Sequence, residues 1–238
     1  MHFEILVEDK SGKEALTKLV PKIIGSEHTF TIHSYSGIGH IPKNLNANNA
    51  KTKTLLNNLP KLINGYAQSW QNYQAVLFVV CDLDDKNFTN FRNELLKVLN
   101  SCQKKLKTEF CIAIEEGEAW LLGDFEAIKQ AYSHAKEQVY RTYQNDSICG
   151  TWEKLADMIY KGGAVALKKK GYQEIGKLKS EWAREISQYM NVEANNSPSF
   201  AYFRDKLREY IYEVSVARLP THRLRGCTTH STCGQHKL

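Results

Sequence analysis

The sequence predicts an α/β fold: a parallel β-sheet flanked by helices, followed by a C-terminal helical appendage. Three observations carry this. Short apolar runs at residues 3–7, 75–81 and 110–114 have the length and the Val, Ile, Leu and Phe content of strands buried on both faces. Segments with apolar residues at helical spacing lie between them, and that alternation argues for a parallel sheet with crossover helices. Beyond about Gly123 the period turns helical and stays so.

Residues 3–7 form the first strand and hand over directly to a helix. Ser11 and Glu14 have capping-box spacing there, and Leu16, Leu19, Val20, Ile23 and Ile24 supply its apolar face. The Ser11-Gly-Lys13 triplet lacks the upstream glycine of a phosphate-binding loop, which excludes that motif. Residues 28–34 read as a second strand and Gly37-Ile-Gly39-His-Ile-Pro42 as a turn. An Asn-rich stretch then leads to a helix over about 52–66, in which Pro60 predicts a kink or a break. The central strand, Ala75-Val-Leu-Phe-Val-Val-Cys81, precedes an amphipathic helix over 89–99 with Phe91, Leu95, Leu96 and Val98. Further helices are expected over 125–143, 152–160, 177–190 and 200–212, with Gly162-Gly163 and Asn195-Asn-Ser-Pro198 as breaks. The division is an α/β domain over 1–123, a helical appendage over 124–215 and an irregular tail over 216–238.

At 238 residues and 42% hydrophobic content the chain is expected to fold. No apolar run approaches the roughly 20 residues of a membrane span, and no basic-then-apolar leader opens the sequence, so a cytoplasmic protein with no membrane association is expected. Six cysteines do not make a disulfide framework in such a chain, and Cys81 and Cys111 read as small core residues. In the tail, His222, Cys227, His230, Cys233 and His236 are potential zinc ligands, but the Cys-x₅-Cys spacing matches no compact zinc knuckle.

The chemistry concentrates where apolar runs end. Asp82 and Asp84 follow the central strand two residues apart, so an extended backbone would send both carboxylates to the same side, where they repel unless a cation lies between them. Glu8 closes the first strand, and Glu115, Glu116 and Glu118 follow the strand at 110–114. Ligand sites of open α/β sheets lie at the strands' carboxyl ends. An all-oxygen cluster there suits Mg²⁺ or Mn²⁺. The net charge of +6 puts basic residues elsewhere, an arrangement suited to a polyanion. Lys10, Lys13 and Lys86 neighbour the acids. Lys168-Lys169-Lys170-Gly-Tyr172 and Lys177-Leu-Lys179 form a basic, aromatic-bearing run for a nucleic-acid backbone and a stacked base.

Glu8 after the first strand, Asp82-x-Asp84 after a central one and the α/β alternation resemble the TOPRIM fold of topoisomerases, primases and OLD-type nucleases. More narrowly, Val7-Glu8, His33-x-Tyr-x-Gly37, Asp82-Leu-Asp84, Ile114-Glu-Glu-Gly-Glu118-Ala-Trp120-Leu-Leu and Ser197-Pro-Ser-Phe200 look like the DUF4276 family of small TOPRIM-like proteins. The resemblance implies Glu8 as the TOPRIM glutamate, Asp82 and Asp84 as the metal pair and Glu118 as the Glu-Ala-Trp glutamate. Where family members often carry Gly-Lys after the second strand, this chain has Gly37-Ile-Gly39-His40. The resemblance also implies a neighbouring ATPase and a bacterial defence role.

The function expected from all this is a Mg²⁺- or Mn²⁺-dependent endonuclease. Its catalytic set would be Glu8, Asp82, Asp84 and Glu118, with Glu115 and Glu116 as further metal ligands. Nucleic acid and a separate ATPase subunit are its expected partners, and a homo-oligomer is compatible. The competing expectation is a TOPRIM-like subunit that docks on an ATPase and cleaves nothing itself.

Overall fold

Three apolar segments and the alternating segment Thr29–Ser34 become parallel strands: β1 (His2–Val7), β2 (Thr29–Ser34), β3 (Ala75–Asp82) and β4 (Thr108–Ala113). In the computed structural model, which describes residues 1–42, 52–102 and 104–217, they form one sheet of order β2-β1-β3-β4. The register sets Val7 beside Val80 and Asp82 beside Ala113, so the strands end nearly level.

Alternation along the strands divides the core in two. Phe3, Ile5, Val7, Val76, Phe78 and Val80 face α1 (Lys10–Ile24), while Leu6, Leu77, Val79 and Cys81 face α2 (Leu55–Ser69) and α3 (Phe88–Ser101). The chain thus leaves β1 towards one face and β3 towards the other, which makes the crevice between their ends the topological switch point. Cys81 and Cys111 are buried among these residues, as expected.

After β4 come α4 (Glu118–Leu122), α5 (Phe125–Ala131), α6 (Glu137–Tyr140), α7 (Thr151–Ile159), α8 (Gly163–Lys168), α9 (Tyr172–Ser187) and α10 (Pro198–Ala217). These helices share the α1-side core. Trp182, Ile186, Phe200, Phe203 and Leu207 belong to the same buried cluster as Phe3 and Phe78. Lys22 of α1 ties the two parts together by donating to the carbonyls of Ser187, Gln188 and Met190 at 3.0, 2.7 and 2.9 Å, a cation at the carbonyl end of α9.

Several local expectations are corrected. Asp9, not Ser11, caps α1, accepting from the Gly12 N–H at 2.8 Å. Pro60 is buried against the core and α2 continues through it without a break. The helix expected over 125–143 is two short helices. Between them the Lys136 N–H is drawn to the Met158 carbonyl and the His134 ring to the Ile159 carbonyl, so tertiary bonds replace helical ones. Among the described residues no helix is long and apolar enough to cross a membrane. The tail histidines and cysteines lie outside the described residues.

Candidate functional site

Glu8 and Asp82 meet at the switch point. Glu8 Oε2 accepts the Asp82 backbone N–H at 3.3 Å, and the Gly37 N–H donates to the Glu8 carbonyl at 3.0 Å. Gly37 holds φ at 97°, a conformation open to glycine, so the His33-x-Tyr-x-Gly37 motif wraps and positions the end of β1. A cavity of about 30 Å³ beneath the site is lined by Glu8, Asp9, Asp82 and Glu118 among apolar neighbours. Gly12 closes one side, where an added Cβ would lie 2.4 Å from the Val7 side chain.

Crowding of carboxylates in this partly buried place changes their acidity. Burial, with Asp84 and Asp9 adding repulsion against the Asp82 N–H bond, pushes Glu8 up to about 7. Burial and then Glu8 push Asp82 well above the ordinary carboxylate range, against the pull of Lys179. Asp84 is placed otherwise than the two-residue alternation implied. β3 stops at Asp82, and Asp84 takes a left-handed φ of 51° while its N–H bonds the Glu115 carbonyl at 2.9 Å. Its carboxylate pairs with Lys86. Among the described residues no three or more His, Cys, Asp or Glu side chains stand ready-made to hold an ion.

The glutamates after β4 separate into different roles. Glu115 accepts three backbone N–H groups, from Cys149, Gly150 and Thr151 at 3.2, 2.6 and 2.8 Å, and so serves the start of α7. Glu116 and Glu118 share Lys179, whose Nζ lies 3.4 and 3.2 Å from them. Burial pushes Glu118 up to about 7 even with Lys179 beside it. Burial works against the Lys179 ammonium, but Glu118, Glu116, Asp82 and Asp9 outweigh it and raise its pKa. The sequence reading placed this lysine in the basic run for a nucleic-acid backbone, whereas it is turned inward to Glu116 and Glu118. The available signal was its place in the apolar stripe Ile175, Trp182, Ala183 and Ile186 of α9, where a solvated lysine has no reason to be.

The basic residues fall into four places. Lys10 and Lys177 line one groove, of about 770 Å³, with Tyr35, Gly37, Gln173 and Arg184. Lys13 is exposed on α1, and Lys86 lies by Asp84 and over the Phe91 ring. Lys168 pairs with Glu153 and covers Trp152, whereas Lys169 and Lys170 are exposed and Tyr172 is 94% exposed.

The comparisons bear on this arrangement. A family model described as "Domain of unknown function (DUF4276)" matches residues 7–208. The chain belongs to the DUF4276 family. No curated protein and no solved structure matches it.

Several of the DUF4276-like motif residues prove to be structural. Trp120 donates through Nε1 to the Ser199 hydroxyl at 2.9 Å and stacks on Phe203, with ring centroids 5.1 Å apart. Asp146 accepts from the Ser197 hydroxyl at 2.7 Å and from the Ser199 N–H at 2.6 Å, which secures the start of α10. The Ser197-Pro-Ser-Phe200 segment therefore locks α10 to α4. Away from the switch point, Glu4 is 7% exposed on β1, and its carboxylate meets His2 Nε2, His33 Nε2 and the Tyr66 hydroxyl at 2.9, 2.7 and 2.7 Å. Sequence reasoning missed this network, because its members come from three separate elements.

The acidity shifts make a stability prediction for the metal-free DUF4276 chain. Glu8 binds its proton more tightly folded than unfolded, so its stabilising effect is present below about pH 4.5 and is lost as pH rises to about 7. The Glu8→Gln variant should therefore gain on wild type over that interval, by at most about 3 kcal/mol. Chemical denaturation in EDTA at pH 5 and pH 8 measures the gap. A gap that is constant or shrinks with pH contradicts the assignment.

Proposed function

We propose that the chain is a metal-dependent nuclease of TOPRIM-like architecture, hydrolysing phosphodiester bonds at the β1–β3 switch point with Mg²⁺ or Mn²⁺. The observation that carries this reading is the Glu8–Asp82 pair: two carboxylates held together at the sheet's carboxyl edge, both with raised pKa, a conflict that a divalent cation relieves. The all-oxygen donor set fits these hard cations. Glu8 and Asp82 would hold the ion, and Asp84 would join them on releasing Lys86. Glu115 leaves the ligand set, because its carboxylate is engaged by three N–H groups of the α7 start.

When bound, the ion supplies positive charge at the phosphate oxygens and acidifies water. The remaining chemistry belongs to the chain. Glu8, as a ligand of the ion, would hold the attacking water in place beside it, and the water's proton would pass to solvent. Lys86, freed from Asp84, faces the incoming phosphate, and Lys10 and Lys177 grip the backbone along their shared groove. Cleavage of plasmid and RNA by the purified protein in Mn²⁺ but not in EDTA is the expected result, and equal absence of products in both would sink the reading. For the groove, the Lys10→Ala/Lys177→Ala double variant should flatten the slope of log K against log salt on duplex DNA by about 1.8. An unchanged slope removes both lysines from the interface.

The partner proposed is an ATPase subunit, in an anti-phage defence setting. It is supported by the family resemblance, by the lack of a phosphate-binding loop in this sequence and by the sparse substrate grip of the site. Cleavage by the chain alone should be slow and should rise at least roughly tenfold, about 1.4 kcal/mol of barrier, when the neighbouring ATPase is added. Full-speed cleavage without it would exclude the partner and leave the nuclease standing.

A further inference from the structure

Lys179 is a lysine where none is needed for solubility. Its side chain is 15% exposed, and its ammonium lies 3.2 Å from Glu118, itself 3% exposed, and 3.4 Å from Glu116. Asp82 and Asp9 also act on it. The carboxylates around the switch point therefore form two halves. Glu116 and Glu118 share the Lys179 ammonium, while Glu8 is held to the Asp82 backbone N–H and forms no ion pair among the described residues. The cavity bordered by Glu8, Asp82 and Glu118 measures about 30 Å³. A space of that size takes a water-sized occupant, so a small ion fits it.

We propose that Lys179 is the resident second cation of the site: its ammonium fills the Glu116–Glu118 half, so that a single divalent ion loads, on the Glu8–Asp82 half. The inference rests on the metal-dependent nuclease reading and specifies its ion count. Glu118 and Glu116 then act by placing Lys179, whose charge faces the phosphate beside the ion.

Calorimetric titration of the full chain with Mn²⁺ at neutral pH, with bound Mn²⁺ counted by electron paramagnetic resonance, tests this. Wild type should bind one ion. The Glu118→Gln variant, close in shape, should also bind one, with a dissociation constant changed by less than about tenfold. The Lys179→Met variant should admit a second ion. Should Lys179→Met fail to fold because it strands the buried Glu118 carboxylate, wild type and Glu118→Gln still decide. Two ions on wild type, or a loss of about tenfold or more in affinity on Glu118→Gln, overturns the role of Lys179 and leaves the nuclease intact. No ion on wild type overturns the metal reading as well.

Discussion

Asp82→Ala is expected to lower Mg²⁺- or Mn²⁺-dependent cleavage by about a thousandfold or more, roughly 4 kcal/mol of barrier, while the metal-free protein keeps its stability or gains some. Both effects have one cause. Asp82 lies beside Glu8 at the switch point, and its pKa is pushed up by burial and by that neighbour, so it costs stability whenever no cation offsets its charge. Alanine removes the repulsion together with half of the ion's seat. Asp84→Ala should also reduce cleavage, though less, because Asp84 is more exposed and is held by Lys86. Turnover under limiting metal and denaturant midpoints in EDTA give the two readouts. Wild-type turnover in Asp82→Ala would place the chemistry elsewhere, and a large loss of metal-free stability would make Asp82 a structural residue.

Phe203→Ala is expected to give the largest stability loss, about 3–5 kcal/mol. Its ring is fully buried, stacks on Trp120 and meets Phe78 edge-on with centroids 6.0 Å apart, so one side chain of α10 touches both α4 and β3. In a chain of this size that loss lowers the melting temperature by roughly 10 °C. The variant should still melt in one transition, since α10 shares a core cluster with the sheet. Loss of α10 in a separate, earlier transition would show that the C-terminal helices form a unit of their own.

The sheet was legible because β1, β3 and β4 are short apolar runs and β2 alternates polar with apolar residues, and the level register then carries Glu8 to Asp82 without further information. Local pattern failed wherever a distant group decides the outcome. The stretch 125–143 has helical spacing throughout, yet bonds from Lys136 and His134 to the end of α7 divide it. Glu115 looked like its neighbours Glu116 and Glu118 until the N–H groups of residues 149–151 claimed it. Asp84 was expected to share Asp82's direction, but the alternation holds only while the strand lasts, and β3 ends at Asp82. Lys179 lies 97 residues beyond Asp82 in a helix whose tertiary partner the sequence does not name, and only its apolar stripe hinted at burial.

The central claim is a location: a divalent ion seated between Glu8 and Asp82. Crystals grown with Mn²⁺ and measured at the manganese absorption edge test it most directly. The account predicts one anomalous peak within ligand distance, about 2.2 Å, of carboxylate oxygens of both Glu8 and Asp82. A peak confined to other residues, or none at the switch point in crystals saturated with Mn²⁺, would contradict it.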